Sequence, residues 1–239
     1  MIIDFHLHTR NNVEKFSIED ISRMMRLNDV EKAVIFPMKQ QSYRDLAAMN
    51  NENLGRKDGK FFPFLRLDPN NMSQEEFAKI STKFSGFKMH PRAENFNPLG
   101  AVAEPFLCAI NKIGKPVIIH TRKENNPNTD PDKLLELAGS YPNIKFVFGH
   151  FANDSEIFFS KIGKYENAFV ETSIVSSPMI IEVRVRQIGS EKILFGSDFP
   201  YSDQEIELMK IKRARITSEA MENILYKNAE RVLSILPLE

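Results

Sequence analysis

A (β/α)8 barrel of the TIM type, filling residues 1–239 as one domain, is the fold predicted for this chain. Eight runs rich in Val, Ile and Phe begin near Ile2, Lys32, Phe61, Phe84, Pro116, Ile144, Ala168 and Lys192. They recur roughly every 23–32 residues, the length of a compact strand–helix unit. The runs are continuously apolar, as expected of parallel strands covered on both faces. An open Rossmann-type sheet is the main alternative. The chain has no Gly-x-Gly-x-x-Gly turn and no Walker loop to support it, and eight units favour closure.

The segments between the strands carry helix signals. Ser17 offers an N-cap hydroxyl and Asp20 an acidic side chain at the third helical position, close to a capping box. Pro98 to Ile113 reads as a helix stopped by Gly114 and Pro116. Cys108, the single cysteine, lies in that helix and is expected as a small buried apolar residue. Asp130 and Pro131 open a further helix as cap and first-turn residue. The longest polar connection, Arg122 to Asp130, follows the fifth strand. It is expected over the C-terminal mouth of the barrel, as a lid.

Composition narrows the function classes. Lys+Arg and Asp+Glu balance at 32 each, so no basic excess points to nucleic acid. Hydrophobic residues make up 42% of the chain, enough for a large core, and its aromatic packing rests on 19 Phe with no Trp. One cysteine permits no intrachain disulfide, which fits a reducing, cytoplasmic setting. No apolar run is long enough for a membrane span, and the N-terminus lacks signal-peptide character. The oligomeric state is left open, a homo-oligomer included.

The histidines point to chemistry. All five, His6, His8, His90, His120 and His150, close apolar runs, and Asp198 closes the last. In a barrel the strand C-termini share one active-site face, so these residues are expected to meet there. His6 and His8 are two apart and project to one side of a strand. Asp4 has the same parity and is expected below them, accepting an imidazole N–H. Three imidazoles and one carboxylate compose an open, catalytic type of Zn²⁺ site. Such an ion lowers the pKa of a bound water toward about 7 and polarises a carbonyl or carboxylate oxygen.

The motifs Asp4-Phe5-His6-Leu7-His8-Thr9, Val117-Ile118-Ile119-His120-Thr121, Phe148-Gly149-His150 and Phe195-Gly196-Ser197-Asp198-Phe199-Pro200 resemble those of the amidohydrolase superfamily. More closely they resemble its amidohydrolase-2 branch, which includes aminocarboxymuconate-semialdehyde decarboxylase-like enzymes. Gly86-Phe87-Lys88-Met89-His90-Pro91 is similar to that branch's fourth-strand pattern, and residues 224–233 to its closing helices. The resemblance implies a (β/α)8 barrel and metal-dependent hydrolysis or non-oxidative decarboxylation. It implies His6, His8, His120 and Asp198 as ligands of one divalent metal, Zn²⁺ in the first place, with Mn²⁺ or another ion as alternatives. It implies His150 and Asp198 as the proton-handling residues. TatD-like nucleases, whose pattern has a glutamate at the fourth strand, fit less well, because Lys88 and His90 stand there.

Lys88 and His90 share parity and are expected to meet substrate. A carboxylated Lys88 bridging a second metal is the less favoured reading. Arg10, Lys39, Arg66, Arg92 and Arg122 follow predicted strands, and Arg66 and Arg122 lie nearest the strand ends. Arginine's planar fork suits carboxylates, so a small anionic substrate is expected, held by Arg66, Arg122, Lys88 and His90. Hydrolysis of a C–O or C–N bond is the first expectation. Decarboxylation on the same scaffold is the alternative, and a catalytically silent binding protein the third. Glu171 and Ser173 close the seventh strand and either line the pocket or satisfy the backbone there.

Overall fold

The computed structural model describes residues 1–10, 16–124 and 126–234. Its strands are β1 (Ile3–Thr9), β2 (Lys32–Pro37), β3 (Phe61–Leu67), β4 (Gly86–Met89), β5 (Val117–Ile119), β6 (Phe146–Phe148), β7 (Ala168–Glu171) and β8 (Ile193–Leu194). Each pairs in parallel with the next in chain order. Backbone hydrogen bonds close the ring: Phe5 N to Phe195 O and His8 N to Phe199 O at 2.9 Å, and Asp198 N to His6 O at 2.8 Å. The helices are α1 (Ile18–Leu27), α2 (Tyr43–Leu54), α3 (Gln74–Ile80), α4 (Glu104–Ile113), α5 (Pro131–Leu134), α6 (Glu136–Ser140), α7 (Glu156–Lys161), α8 (Pro178–Ile188), α9 (Gln204–Arg213), α10 (Ser218–Glu222) and α11 (Asn228–Leu233). The predicted TIM barrel is the observed fold.

Two apolar layers hold it. Side chains such as Phe5, Val34, Phe36, Phe64, Ile118, Val147 and Leu194 fill the lumen, with Ala229 and Val232 of α11 packed against them. The opposite strand faces, including Leu65, Phe87, Ile119 and Phe148, form a larger cluster with the surrounding helices. The strands read as unbroken apolar runs because both faces are buried.

The helix signals act as their chemistry suggests, with two corrections. Asp20 N donates to Ser17 Oγ at 3.1 Å and Ser17 N to Asp20 Oδ2 at 2.7 Å, completing the capping box of α1. The side chain of Asp130 accepts from Asp132 N at 3.0 Å and caps α5. The helix expected from Pro98 begins only at Glu104. Pro105 explains the delay, since its ring and missing N–H are tolerated only in a first turn. Before it, Asn97 turns the chain, accepting Gly100 N on its carbonyl and Leu99 N on its side chain, both at 3.0 Å. Cys108 is exposed, not buried. The buried stripe of α4 is Phe106, Leu107 and Ile110, and Cys108 falls off that stripe.

A third correction bears on the site. The pairing register of β1 with β2 shifts by one residue between Asp4 and Leu7. Such a bulge reverses the inward–outward alternation. Phe5 therefore joins the lumen cluster and His6 follows it into the site, while Asp4 turns away. Its carboxylate accepts His6 N and Ser197 N at 3.0 Å and Gln204 Nε2 of α9 at 2.8 Å. Asp4 thus staples β1 to the chain after β8 and touches no imidazole ring there. Among the described residues, no helix is long and apolar enough to cross a membrane.

Candidate active site

The strand ends gather the predicted residues at one mouth of the barrel. Asp198 Oδ1 lies 3.1 Å from His6 Nε2 and 3.0 Å from His8 Nε2. Asp198 reaches this point from a left-handed backbone (φ 59°), anchored by its N–H on His6 O. All three side chains are buried. Burial works against the Asp198 carboxylate, but His6, His8 and His150 around it hold its pKa well below the ordinary range. Burial alone dominates at His8 and holds that imidazole near 3.

Glu171, at the end of β7, organises the imidazoles from behind. It is fully buried, and its Oε1 accepts His6 Nδ1 at 2.9 Å, His150 N at 2.6 Å and Ser173 Oγ at 2.8 Å, while Oε2 accepts Ser173 N at 2.7 Å. Burial pushes its carboxyl up, but the neighbouring His6, their hydrogen bond and His150 outweigh it and hold the pKa at about 2.

An ionised Glu171 only accepts, so it fixes protons in sequence. His6 Nδ1 carries its proton toward Glu171, which turns Nε2 to the Asp198 side. Ser173 donates its hydroxyl proton to Glu171, so its oxygen receives His150 Nδ1–H at 2.9 Å. His150 is neutral, with burial holding it near 4, so its Nε2 is an acceptor; it takes His120 Nδ1–H at 2.8 Å. His120, which burial keeps neutral as well, is left with a bare Nε2. That atom is buried and has no hydrogen-bond partner.

Two glycines make room for this arrangement. A Cβ on Gly196 would overlap Glu171 Oε2 and lie 2.9 Å from His6 Cβ. A Cβ on Gly149 would come within 3.3 Å of Glu171 Oε1 and 3.2 Å of Ile119 O. The glycines before His150 and Asp198 are therefore spaces for the Glu171 carboxylate, which links the two motifs physically.

A cavity of about 640 Å³ opens over these groups. His8, His120, His150 and Asp198 line it together with His90, Lys39, Arg66, Arg92 and Arg122. His90 stacks on His120 with ring centroids 3.9 Å apart, and burial keeps it neutral. Arg122 is half-exposed, 3.3 Å from Glu124, whose carboxylate also takes Arg92 at 2.7 Å. Arg122 N and Thr129 O bond at 2.8 Å, pinning the base of the connection expected as a lid; Asn125 within it lies outside the described residues. Arg66 borders the cavity, but its guanidinium is already committed to Glu94 at 2.9 Å and Pro37 O at 2.9 Å. Arg10 pairs with Glu52 at 3.2 Å, away from the cavity lining. Lys88 is buried beneath the histidines, 3.3 Å from His6 Nε2 and 4.7 Å from the Phe36 ring centroid. Burial holds its ammonium down to about 7.

The donors suit a divalent cation. His6, His8 and Asp198 each offer an atom within 4.8 Å of the others, and the unpartnered His120 Nε2 lies buried at the same mouth. Neighbouring donors held at about 2.1 Å from one ion sit roughly 3–3.4 Å apart, close to the separations seen. Sequence reasoning missed Tyr201, whose ring meets His8 edge-on at 5.3 Å, and Ile174, which lines the cavity from a left-handed backbone. Neither carries a local signal; both are placed by tertiary structure alone.

Residues 3–235 match the amidohydrolase family of the amidohydrolase-2 type. The chain belongs to this family. As a member it is a metal-dependent enzyme, a hydrolase or a carboxy-lyase. No individually curated protein shows a significant sequence match. Among solved structures, this amidohydrolase-family chain is similar to 5-carboxyvanillate decarboxylase from Sphingomonas paucimobilis (14% identity, 98% of this chain and 99% of that one, TM-score 0.77). It is also similar to 2,6-dihydroxybenzoate decarboxylase from Rhizobium (13%, 98% and 98%, TM-score 0.73). A third is dihydroxybenzoic acid decarboxylase from Polaromonas with bound manganese and the inhibitor 2-nitroresorcinol (14%, 98% and 96%, TM-score 0.75). At these identities the likeness shows the (β/α)8 barrel fold.

Metal binding is expected to depend on pH through His6. Burial and Lys88 oppose its protonation, but Glu171 and Asp198 outweigh them and raise its pKa above the usual 6.5. That proton must leave before an ion binds, so protons compete at higher pH than for an ordinary histidine. Titration with Zn²⁺ at about pH 8 and about pH 6 is expected to show weaker binding and greater proton release at the lower value. Equal affinity at both would contradict this assignment.

Proposed function

We propose that this enzyme removes CO₂, without oxidation, from a small carboxylic acid, using one divalent cation held by His6, His8, His120 and Asp198. The observation that carries the reading is one cavity lined both by the donors His8, His120 and Asp198 and by the cations Lys39, Arg92 and Arg122. Such cations recognise carboxylates, and the structurally similar proteins include decarboxylases of hydroxylated aromatic acids. Zn²⁺ suits a histidine-rich donor set. Mn²⁺ is the ion in the Polaromonas protein. When bound, the ion would polarise a substrate oxygen and stabilise negative charge developing on the substrate.

The chain's own residues supply the rest. Arg122, Arg92 and Lys39, with His90 deeper in, orient the acid; Arg66 stiffens that wall through Glu94 and Pro37. Lys88, expected from the sequence to meet substrate, is instead buried beneath the histidines and outside the cavity lining. As the bond to the departing carboxylate breaks, its electron pair stays on carbon and takes a proton. Asp198, ionised before the acid binds, would first take up a proton from the bound acid's own hydroxyl or carboxyl group and then pass it from Oδ2 to that carbon, with the neutral His150 beside it, Nδ1 3.9 Å from Oδ2. Hydrolysis of a C–O or C–N bond is the second reading, favoured by the family description, with Asp198 and His150 taking a proton from water instead.

CO₂ release from hydroxybenzoic acids by metal-replete protein, against hydrolysis of a lactone and amide panel, decides between them. CO₂ release abolished by chelation supports decarboxylation; hydrolysis alone replaces it with the second reading. One ion per chain is expected, and two ions with CO₂-dependent activity would require a carboxylated Lys88. Arg122→Ala is expected to raise KM about 10-fold with a smaller change in kcat, as loss of one exposed carboxylate contact should. An unchanged KM would remove Arg122 from the binding site.

A further inference from the structure

His150 opens an unusual turn. Five consecutive non-glycine residues, His150, Phe151, Ala152, Asn153 and Asp154, hold left-handed backbones with φ between 46° and 54°. Each is disfavoured because Cβ crowds the following carbonyl oxygen. Such strain persists only where surrounding structure over-determines it. The first residue is held by His150 N on Glu171 Oε1 at 2.6 Å. The last is held from α8, where buried Arg184 donates Nε to Asp154 Oδ1 at 2.7 Å and Nη2 to Asp154 O at 3.3 Å. The same guanidinium donates Nη1 to Glu156 Oε2 at 2.8 Å and lies 4.4 Å from the Phe159 ring centroid. One planar fork thereby ties the end of the turn to the start and body of α7.

We infer that Arg184 is a positioning residue for His150: it locks the left-handed turn from its far end and so fixes the imidazole over Asp198. Arg184 does not line the cavity over the donor cluster, so its influence on the reaction passes through the turn. The catalytic part of this inference rests on the proton role given to His150, whereas its structural part does not.

The test uses the full-length, metal-replete enzyme with Arg184→Met, the milder Arg184→Lys, and Arg184→Met combined with Ala152→Gly. Glycine adopts the left-handed backbone without strain, so Ala152→Gly should compensate specifically for a lost clamp. In Arg184→Met, amide hydrogen exchange over residues 150–155 is expected to accelerate at least about 10-fold while β1 stays protected. With any active substrate, kcat is expected to fall about 10–100-fold with KM nearly unchanged, Arg184→Lys to fall between, and the double variant to recover most of the loss. Unchanged exchange in the turn, exchange raised uniformly through the chain, or no recovery with Ala152→Gly would overturn the inference. The exchange measurements need no substrate, so they stand even where the proposed reaction fails.

Discussion

Replacing Glu171 with glutamine is expected to weaken Mn²⁺ or Zn²⁺ binding about 10–100-fold, though Glu171 itself is not among the proposed ligands. The carboxylate serves donors on both oxygens: His6 Nδ1, His150 N and Ser173 Oγ on one, Ser173 N on the other. A glutamine offers only one accepting oxygen, so its amide must face one of these N–H groups with another N–H. It also removes the negative charge that holds the proton on His6 Nδ1. The order Glu171, Ser173, His150, His120 then has no fixed starting point, and the bare Nε2 of His120 is no longer enforced. Metal titration, with the ¹⁵N imidazole spectrum read alongside, checks this. Wild-type affinity with unchanged tautomers would show that Glu171 is only a backbone anchor.

Gly196→Ala is expected to cost about 2–4 kcal/mol, because overpacking and broken buried hydrogen bonds add. For a chain of this size that is a fall of roughly 5–15 °C in Tm. The added Cβ would overlap Glu171 Oε2 sterically and press on His6 Cβ at 2.9 Å. Neither neighbour can yield easily, one being fixed by its hydrogen bonds and the other by its strand. Gly149→Ala meets only contacts of 3.2 and 3.3 Å, so it is expected to cost distinctly less. Thermal denaturation with and without Mn²⁺ measures both, and Gly196→Ala should also lose most of the metal-induced rise. Equal behaviour of the two variants would contradict the role given to these glycines.

The barrel was legible because its signals are local. Each strand announces itself as an apolar run, and Ser17–Asp20 and Asp130–Pro131 carry their caps within three residues. The convergence of His6, His8 and Asp198 followed from strand ends sharing one face. What escaped notice depends on register and long-range contact. The bulge that turns Asp4 away is a relation between β1 and β2, invisible in β1 alone. Glu171 was noticed as a strand-end residue, but its role comes from partners 165 and 21 residues distant. Arg66 stands at a strand end as if free for substrate, and only the fold brings Glu94 against it. The left-handed run after His150 contains no glycine to announce it.

The central claim is that His6, His8 and Asp198, completed by His120, form the metal site of this amidohydrolase-family enzyme. Anomalous diffraction from crystals soaked in Mn²⁺ or Zn²⁺ tests it most directly. The expected result is one strong peak per chain within bonding distance of His6, His8 and Asp198, lost in Asp198→Ala. No peak there in metal-saturated crystals, or a sole peak elsewhere in the barrel, would contradict it.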